Sequence, residues 1–392
     1  MKGVLISLVM FVSVSIGSAQ WTQINTSSAD DYIHVSFVND STGVLASGRV
    51  LMLSENYGDT WDTIYYNSDD VISDVQFLND NTIYFIGYST SNALFLKKSF
   101  DLGNNWSTID LPEGGYEKMF FTSPDAGHLL AQNIMSNTFD GGDTWTNGTF
   151  SHTLGFLVGD LFFTSSSTGY FVGYYNSVNY KTIDSGASWN LTPNTGGGLD
   201  IYFPSLEVGY TCGHDGGALK TIDAGANWTS LNTGITDFRD LHSIFCLSNN
   251  NCYTVGDDGT ILKTTDGGEN WLPETSGTTE NLRSVYCTSK YCYAVGDNGV
   301  VLRTANTLNS TNENNKKENV KTYPNPVNEE IIIEIETGTN IQSIQLLDIN
   351  GKTVKNYSSK MPIINISELP NGHYVVKITT DKGTFTEKII KQ

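Results

Sequence analysis

Between Gln20 and Leu308, short apolar runs alternate with turns rich in Gly, Asn, Asp and Ser. No stretch holds the spacing of an amphipathic helix. Residues 241–274 show the unit best. Leu241–Cys246 reads as a first strand, Cys252–Gly256 as a second ending on glycine, and Thr260–Thr264 as a third entering a turn; a fourth starts at Trp271. Second strands of this kind are expected at Thr42–Gly48, Thr82–Gly87, Gly169–Gly173, Gly209–Gly213 and Tyr291–Gly296. The chain is expected to be all-β.

The turn before the fourth strand is written six times: Ser or Thr, any residue, Asp (once Asn), any residue, Gly, two residues, Trp. Its acidic or amide positions are Asn56, Asp101, Asp140, Asp184, Asp223 and Asp266. An aspartate there can accept backbone N–H bonds inside its own turn. The Gly supplies a conformation that a side chain would obstruct. The Trp buries a large ring and carries one N–H that needs a partner. Counting Trp21, the seven Trp recur every 39 to 45 residues. A period near forty, filled with strands, predicts a β-propeller.

The ends fix the number of blades. Arg283–Cys287, Cys292–Gly296 and Val300–Thr304 give three strands, and Thr304-Ala305-Asn306 begins the turn pattern without its Gly or Trp. Trp21–Ile24 has no partners of its own. Pairing it with the last three strands closes the ring and removes two open edges. The prediction is a seven-bladed propeller over 20–308, closed by the N-terminal strand. Cys246 and Cys252 flank one first-to-second turn and Cys287 and Cys292 flank another, as expected of two hairpin disulfides in an exported protein. Only His242 lies near them, too few ligands for zinc. Cys212 is left over, expected buried in a strand.

Residues 1–19 carry Lys2, an apolar run from Val4 to Ile16 and small residues before Gln20. That is the pattern of a cleaved secretory leader, too short for a comfortable membrane span, and no second apolar segment follows. Residues 309–320 are polar and lack aromatics, as a linker would be. From 321 to 392 a second β unit is expected, a small β-sandwich with strands at Ile331–Ile335, Ile344–Asp348 and Tyr374–Ile378 and turns at Asn350-Gly351 and Asn371-Gly372.

Charge narrows the partners. The chain carries a net −20, and between 20 and 308 acidic residues outnumber basic ones 32 to 11. Such a surface repels phosphate, so nucleic acid and anionic membranes are excluded as preferred partners. Loops at the end opposite the Asp turns hold the candidate ligand contacts: Arg49, Tyr174, Tyr175, His214, Asp215, Asp257, Asp258, Arg239 and Arg283, with Asp200, Asp237, Asp240, Glu280 and Asp297 nearby. Aromatic faces beside carboxylates suit sugar stacking or Ca²⁺ coordination. No other cofactor is expected. Asp258-Gly259 and Asn298-Gly299 also read as plain hairpin turns.

The repeat resembles the Asp-box (BNR) propellers, found in sialidases, xyloglucan-cleaving glycosidases and photosystem II assembly factors. Gly209–Gly213 followed by Lys220–Trp228 is most similar to the last of these. The resemblance implies that the box is a structural turn on the end away from the ligand. Tyr323-Pro324-Asn325-Pro326, Leu347-Asp348 with Gly351-Lys352, Leu369-Pro370 with Gly372 and Tyr374, and the terminal Lys388–Lys391 resemble the type A C-terminal sorting domain of the type IX secretion system. That implies recognition by the secretion machinery and export across the outer membrane of a Bacteroidota-type cell.

Four arginines, one of them on a third strand, do not supply the arginine triad of a sialidase. The leading expectation is an exported binding protein whose propeller end takes a protein or glycan. The alternative is a glycoside hydrolase with two carboxylates facing across a cleft.

Overall fold

The computed structural model describes residues 21–26, 29–132, 134–151, 158–173, 178–192 and 198–306. Beyond these it describes 321–323, 327, 330–334, 340–348, 353–357, 363–370, 372–380 and 383–391. The leader, the linker, Tyr174, Tyr175, Pro324–Pro326, Asn350-Gly351 and Asn371 lie outside the described residues. The chain divides into two compact units, Met1–Ser310 and Thr311–Gln392.

Among the described residues the first unit contains seven sheets of four antiparallel strands each, one with a fifth strand, Thr149–Phe150, added in parallel. Their first strands are Tyr32–Phe37, Asp70–Asn79, Lys118–Phe121, Val158–Phe163, Asp200–Tyr202, Leu241–Cys246 and Leu282–Cys287. Each packs against the next, and the seventh returns to the first. We number the sheets 1 to 7 in this order. Sheet 7 takes its fourth strand from the other end of the chain: Thr22 pairs with Arg303 and Gln23 with Leu302. Two residues make a weak edge by themselves. The anchor is Trp21, whose ring is buried edge-on to Tyr253 and whose indole N–H donates to Glu274 Oε2 at 2.8 Å.

The six Asp turns have one geometry, clearest in sheet 6. Thr264 Oγ1 donates to Asp266 Oδ1 and accepts from the Gly268 N–H. Asp266 Oδ1 accepts the Asn270 N–H at 3.0 Å. Gly268 sits at φ +89°, where an added Cβ would come within 2.7 Å of Leu231. The Trp side chains differ from expectation. Trp106 and Trp145 donate to the Ile64 and Asp110 carbonyls, but the buried indole N–H groups of Trp61, Trp189, Trp228 and Trp271 have no partner among the described residues. Burying such a ring contributes about 4–6 kcal/mol, more than the roughly 1–3 kcal/mol cost of the missing bond.

Each turn is also a docking point. Lys98, Lys181 and Lys220 each precede the Ser or Thr of their own turn, and their Nζ atoms donate to Gly141, Ala224 and Gly267 carbonyls in the turn of the next sheet. Arg303 closes the circle by donating to Tyr57 O of sheet 1. Tyr170 and Tyr293 hydroxyls reinforce two of these seams. Lys263 pairs with Glu274 of its own sheet at 3.6 Å. Cys246–Cys252 and Cys287–Cys292 are disulfides, and Cys212 is a buried free thiol.

The second unit has a three-stranded sheet (Lys321–Tyr323, Glu330–Glu334, Ile363–Asn365) and a four-stranded one (Thr353–Tyr357, Ile341–Asp348, Gly372–Thr380, Gly383–Lys391). Ile331, Ile333 and Ile364 of the first share one core with Ile344, Leu346, Val376 and Ile378 of the second. The three strands expected here are all present, with somewhat different ends.

Candidate functional site

At the end of the first unit opposite the Asp turns, three loops repeat one shape. His214-Asp215-Gly216, Asp257-Asp258-Gly259 and Asp297-Asn298-Gly299 each put their middle residue in the left-handed region, at φ 52°, 53° and 56°. Each middle N–H donates to a side chain that opens the next sheet: Asp215 to Asp240, Asp258 to Asn281, and Asn298 to Asp31. The loops are therefore clamps between sheets as well as surface.

The acidic groups around them are engaged. Asp240 Oδ2 lies 2.8 Å from His214 Nδ1. Asp257 accepts the Asp240 N–H and lies 2.7 Å from His242 Nε2. Arg283 Nη1 approaches the same ring nitrogen at 3.2 Å. One nitrogen cannot donate to the carboxylate and accept from the guanidinium together, and the shorter contact makes it the donor. Arg283 grips Asp297 with two bonds of 2.8 Å. The Asp257 carboxyl is held below the usual carboxylate range, its bonds to Asp240 and His242 outweighing the opposing effect of burial. The Asp297 carboxyl is held low chiefly by Arg283. Arg239 pairs with Asp237 at 2.8 Å and donates to Thr260. Arg49 stands exposed in the turn between second and third strands of sheet 1, apart from this network.

One predicted loop residue lies elsewhere. Asp200 opens the first strand of sheet 5 and faces a central cavity of about 380 Å³ walled by all seven first strands. It belongs to a belt: His34, Asp74, Lys118 and Asp160 on sheets 1 to 4, then Asp200, Ser243 and Ser284. Each lies three residues before the aromatic or cysteine that ends the inner run, Phe37, Phe77, Phe121, Phe163, Phe203, Cys246 or Cys287. The belt has a backbone role. Asp74, Asp200, Ser243 and Ser284 accept the N–H of Met119, Ile244, Val285 and Val35 on the neighbouring first strand. At the centre of the ring these strands have no ladder partner on that side, and a buried N–H needs one.

Lys118, Asp160 and His34 go beyond that role. Lys118 Nζ lies 3.6 Å from Asp160 and 3.9 Å from Asp74, ion pairs too long for hydrogen bonds. Burial disfavours its charge, yet Asp74, Asp160 and Asp200 together keep the ammonium protonated well past the ordinary lysine range. Asp200 is pushed up to about 8 by burial and by the charge of the neighbouring Asp160 carboxyl. Asp74 rises to about 6, burial outweighing Lys118. His34 falls to about 4 through burial and the nearby Lys118, so its ring is neutral. Two residues further along the strands come Phe120, Phe162, Tyr202, Phe245 and Tyr286. Their rings touch in succession around the ring, with centroids 4.4–5.5 Å apart. Among the described residues no group of three or more His, Cys, Asp or Glu could hold a metal.

The belt was missed in the sequence because its residue types differ from sheet to sheet. The fixed three-residue offset was the available signal.

Residues 321–392 match the family described as the secretion system C-terminal sorting domain. The chain is thus an export substrate of type IX secretion, delivered to the cell surface or released. No curated protein matches the chain. Among solved structures it is similar to YCF48 bound to D1 peptide, at 17% identity and TM-score 0.61 over 75% of this chain and 99% of that one. YCF48 from Cyanidioschyzon merolae gives 15% and 0.60, over 73% and 99%. A GH74 enzyme of Niastella koreensis gives 12% and 0.59, over 95% of this chain and 74% of that one. At these identities the likeness speaks for the propeller-type all-β fold.

Proposed function

We propose that this is an exported binding protein. On this reading a leader (1–19) is removed. A seven-bladed propeller (20–308), closed by the strand that follows Trp21, then binds a protein or glycan with the end opposite the Asp boxes. A linker (309–320) joins it to a β-sandwich (321–392) that the secretion machinery recognises. The observation that carries the binding reading is the state of the acidic groups at that end. Asp257 and Asp297 are hydrogen-bonded and held ionised, which makes a rigid recognition surface and a poor general acid. YCF48, to which the chain is similar in fold, was solved with D1 peptide bound. Ca²⁺ is proposed as a supplement to binding at this end.

The test is capture on glycan arrays and by pull-down with the purified chain, with and without Ca²⁺ or chelator. Reproducible capture that Arg49→Ala or Arg239→Ala weakens supports the reading. Silence under every condition counts against it.

The second reading, a glycoside hydrolase, draws on the GH74 likeness and on the raised Asp74 and Asp200 carboxyls. A glycosidase needs its two carboxyls about 5–10 Å apart on either side of the bond. Asp160 and Asp200 line the same cavity from adjacent first strands, and Asp160 is among the groups that raise the Asp200 carboxyl. Release of reducing sugar from plant or host polysaccharides, lost in Asp74→Asn, would favour this reading over the first.

A further inference from the structure

We infer that the central cavity is a binding site for a neutral polyhydroxylated ligand, the size of a mono- or disaccharide. The inference rests on the binding reading above and names a ligand class for a second place in the same unit. About 380 Å³ lies at the low end of small-molecule sites. Its wall mixes donors and acceptors: the Lys118 ammonium, with no hydrogen bond to its carboxylate neighbours, stands beside Asp74 and Asp160. Asp200 keeps its proton and is a further donor near neutral pH. A hydroxyl both donates and accepts, and such a wall serves several at once. The aromatic rung, in which Phe120 meets Phe162 at 61° and Phe162 meets Tyr202 at 59°, lines the cavity with apolar ring surface against which the C–H side of a sugar ring can pack.

Charge argues against the simpler ligands. An anion would face the Asp74 and Asp160 carboxylates, and an organic cation would have to share them with Lys118. A neutral ligand meets neither penalty. His242 and Arg283 also line the cavity and belong to the hydrogen-bonded network at the end opposite the Asp turns, so a ligand and that surface would share residues.

Calorimetric titration of the full chain with glucose, galactose, mannose, xylose, N-acetylglucosamine and their common disaccharides tests this, with butylamine and acetate as charged controls. The expected result is saturable binding of at least one neutral sugar, weakened at least tenfold by Asp160→Asn and unchanged in Glu269→Gln at an exposed Asp-turn position. If Asp160→Asn does not fold, Phe162→Leu serves, with the same loss expected. No binding by any sugar up to its solubility, preference for butylamine or acetate, or sugar binding indifferent to these variants overturns the inference. Capture of a protein or polysaccharide by the outer end with no sugar in the cavity overturns it while leaving the binding reading in place.

Discussion

The aspartates of the six turns and those of the central belt share one side chain and meet opposite fates. In the turns the carboxylate is open to solvent and accepts bonds from the residue four positions on, and Asp140 and Asp266 are held down to about 2. In the belt it is enclosed, and Asp74 and Asp200 are pushed up to about 6 and 8. The difference is what surrounds the oxygen. Water and local N–H donors favour the charge, while burial beside another carboxyl opposes it. A row of acidic residues in a repeat is therefore no guide to chemistry until its surroundings are known.

The largest effect is expected from removing what the turns anchor. Trp228 is buried and packs edge-on against Phe203. Trp228→Ala should lower stability by roughly 3–5 kcal/mol in urea denaturation. A negligible shift would mean that the turn, and not its ring, holds the sheet.

Next come the disulfides, which span six and five residues in sheets 6 and 7. Loops this short constrain the unfolded chain little, so replacing either cysteine pair with alanine should lower stability by about 2 kcal/mol. A loss several times larger would show that the crosslinks hold the seam next to the N-terminal strand.

A smaller loss is expected at the seams. Lys220→Met keeps the stem over Tyr210 and removes the bond to Gly267 O, which should lower stability by about 1 kcal/mol. A loss near zero would mean that the seam bond adds nothing beyond the packing of the stem.

How much of this was legible follows the range of each interaction. The turn could be read because Thr264, Asp266, Gly268 and Asn270 complete one another within seven residues. The closing strand and the disulfides could be read because each filled a gap in a repeat. The seam lysines could not, since their partners sit more than forty residues away. Neither could the belt, whose members meet only when seven strands converge. Asp200 was placed on a loop by the glycines before it, and it opens a strand. The N–H groups of Asp215 and Asp258 clamp adjacent sheets, a role that depends on a partner more than twenty residues away.

The last test reads a slope. Folding raises the Asp200 carboxyl from the ordinary 3.8 to about 8, so its contribution is fully present below pH 4 and is lost as pH rises towards 8. Asp74 acts in the same sense but is spent by about pH 6. His34 and His128, both lowered to about 4 mainly by burial, act the other way: their contribution is present above 6.5 and lost as pH falls to 4. The two effects oppose one another below 6.5. Between 6.5 and 8 His34 and His128 are silent, and the turn aspartates Asp140 and Asp266, whose contribution is lost only as pH falls towards 2, are silent too. Asp200, with Asp160, Ser243 and the Ile244 N–H beside it and Lys118 across the cavity, is the belt group that titrates in this window. Stability measured in urea should fall over that window in the natural chain and stay flat in Asp200→Asn, whose amide cannot ionise. Asp266→Asn should leave the slope as it is. A slope that survives Asp200→Asn would move the titrating group out of the belt and dissolve the contrast between the two sets of aspartates.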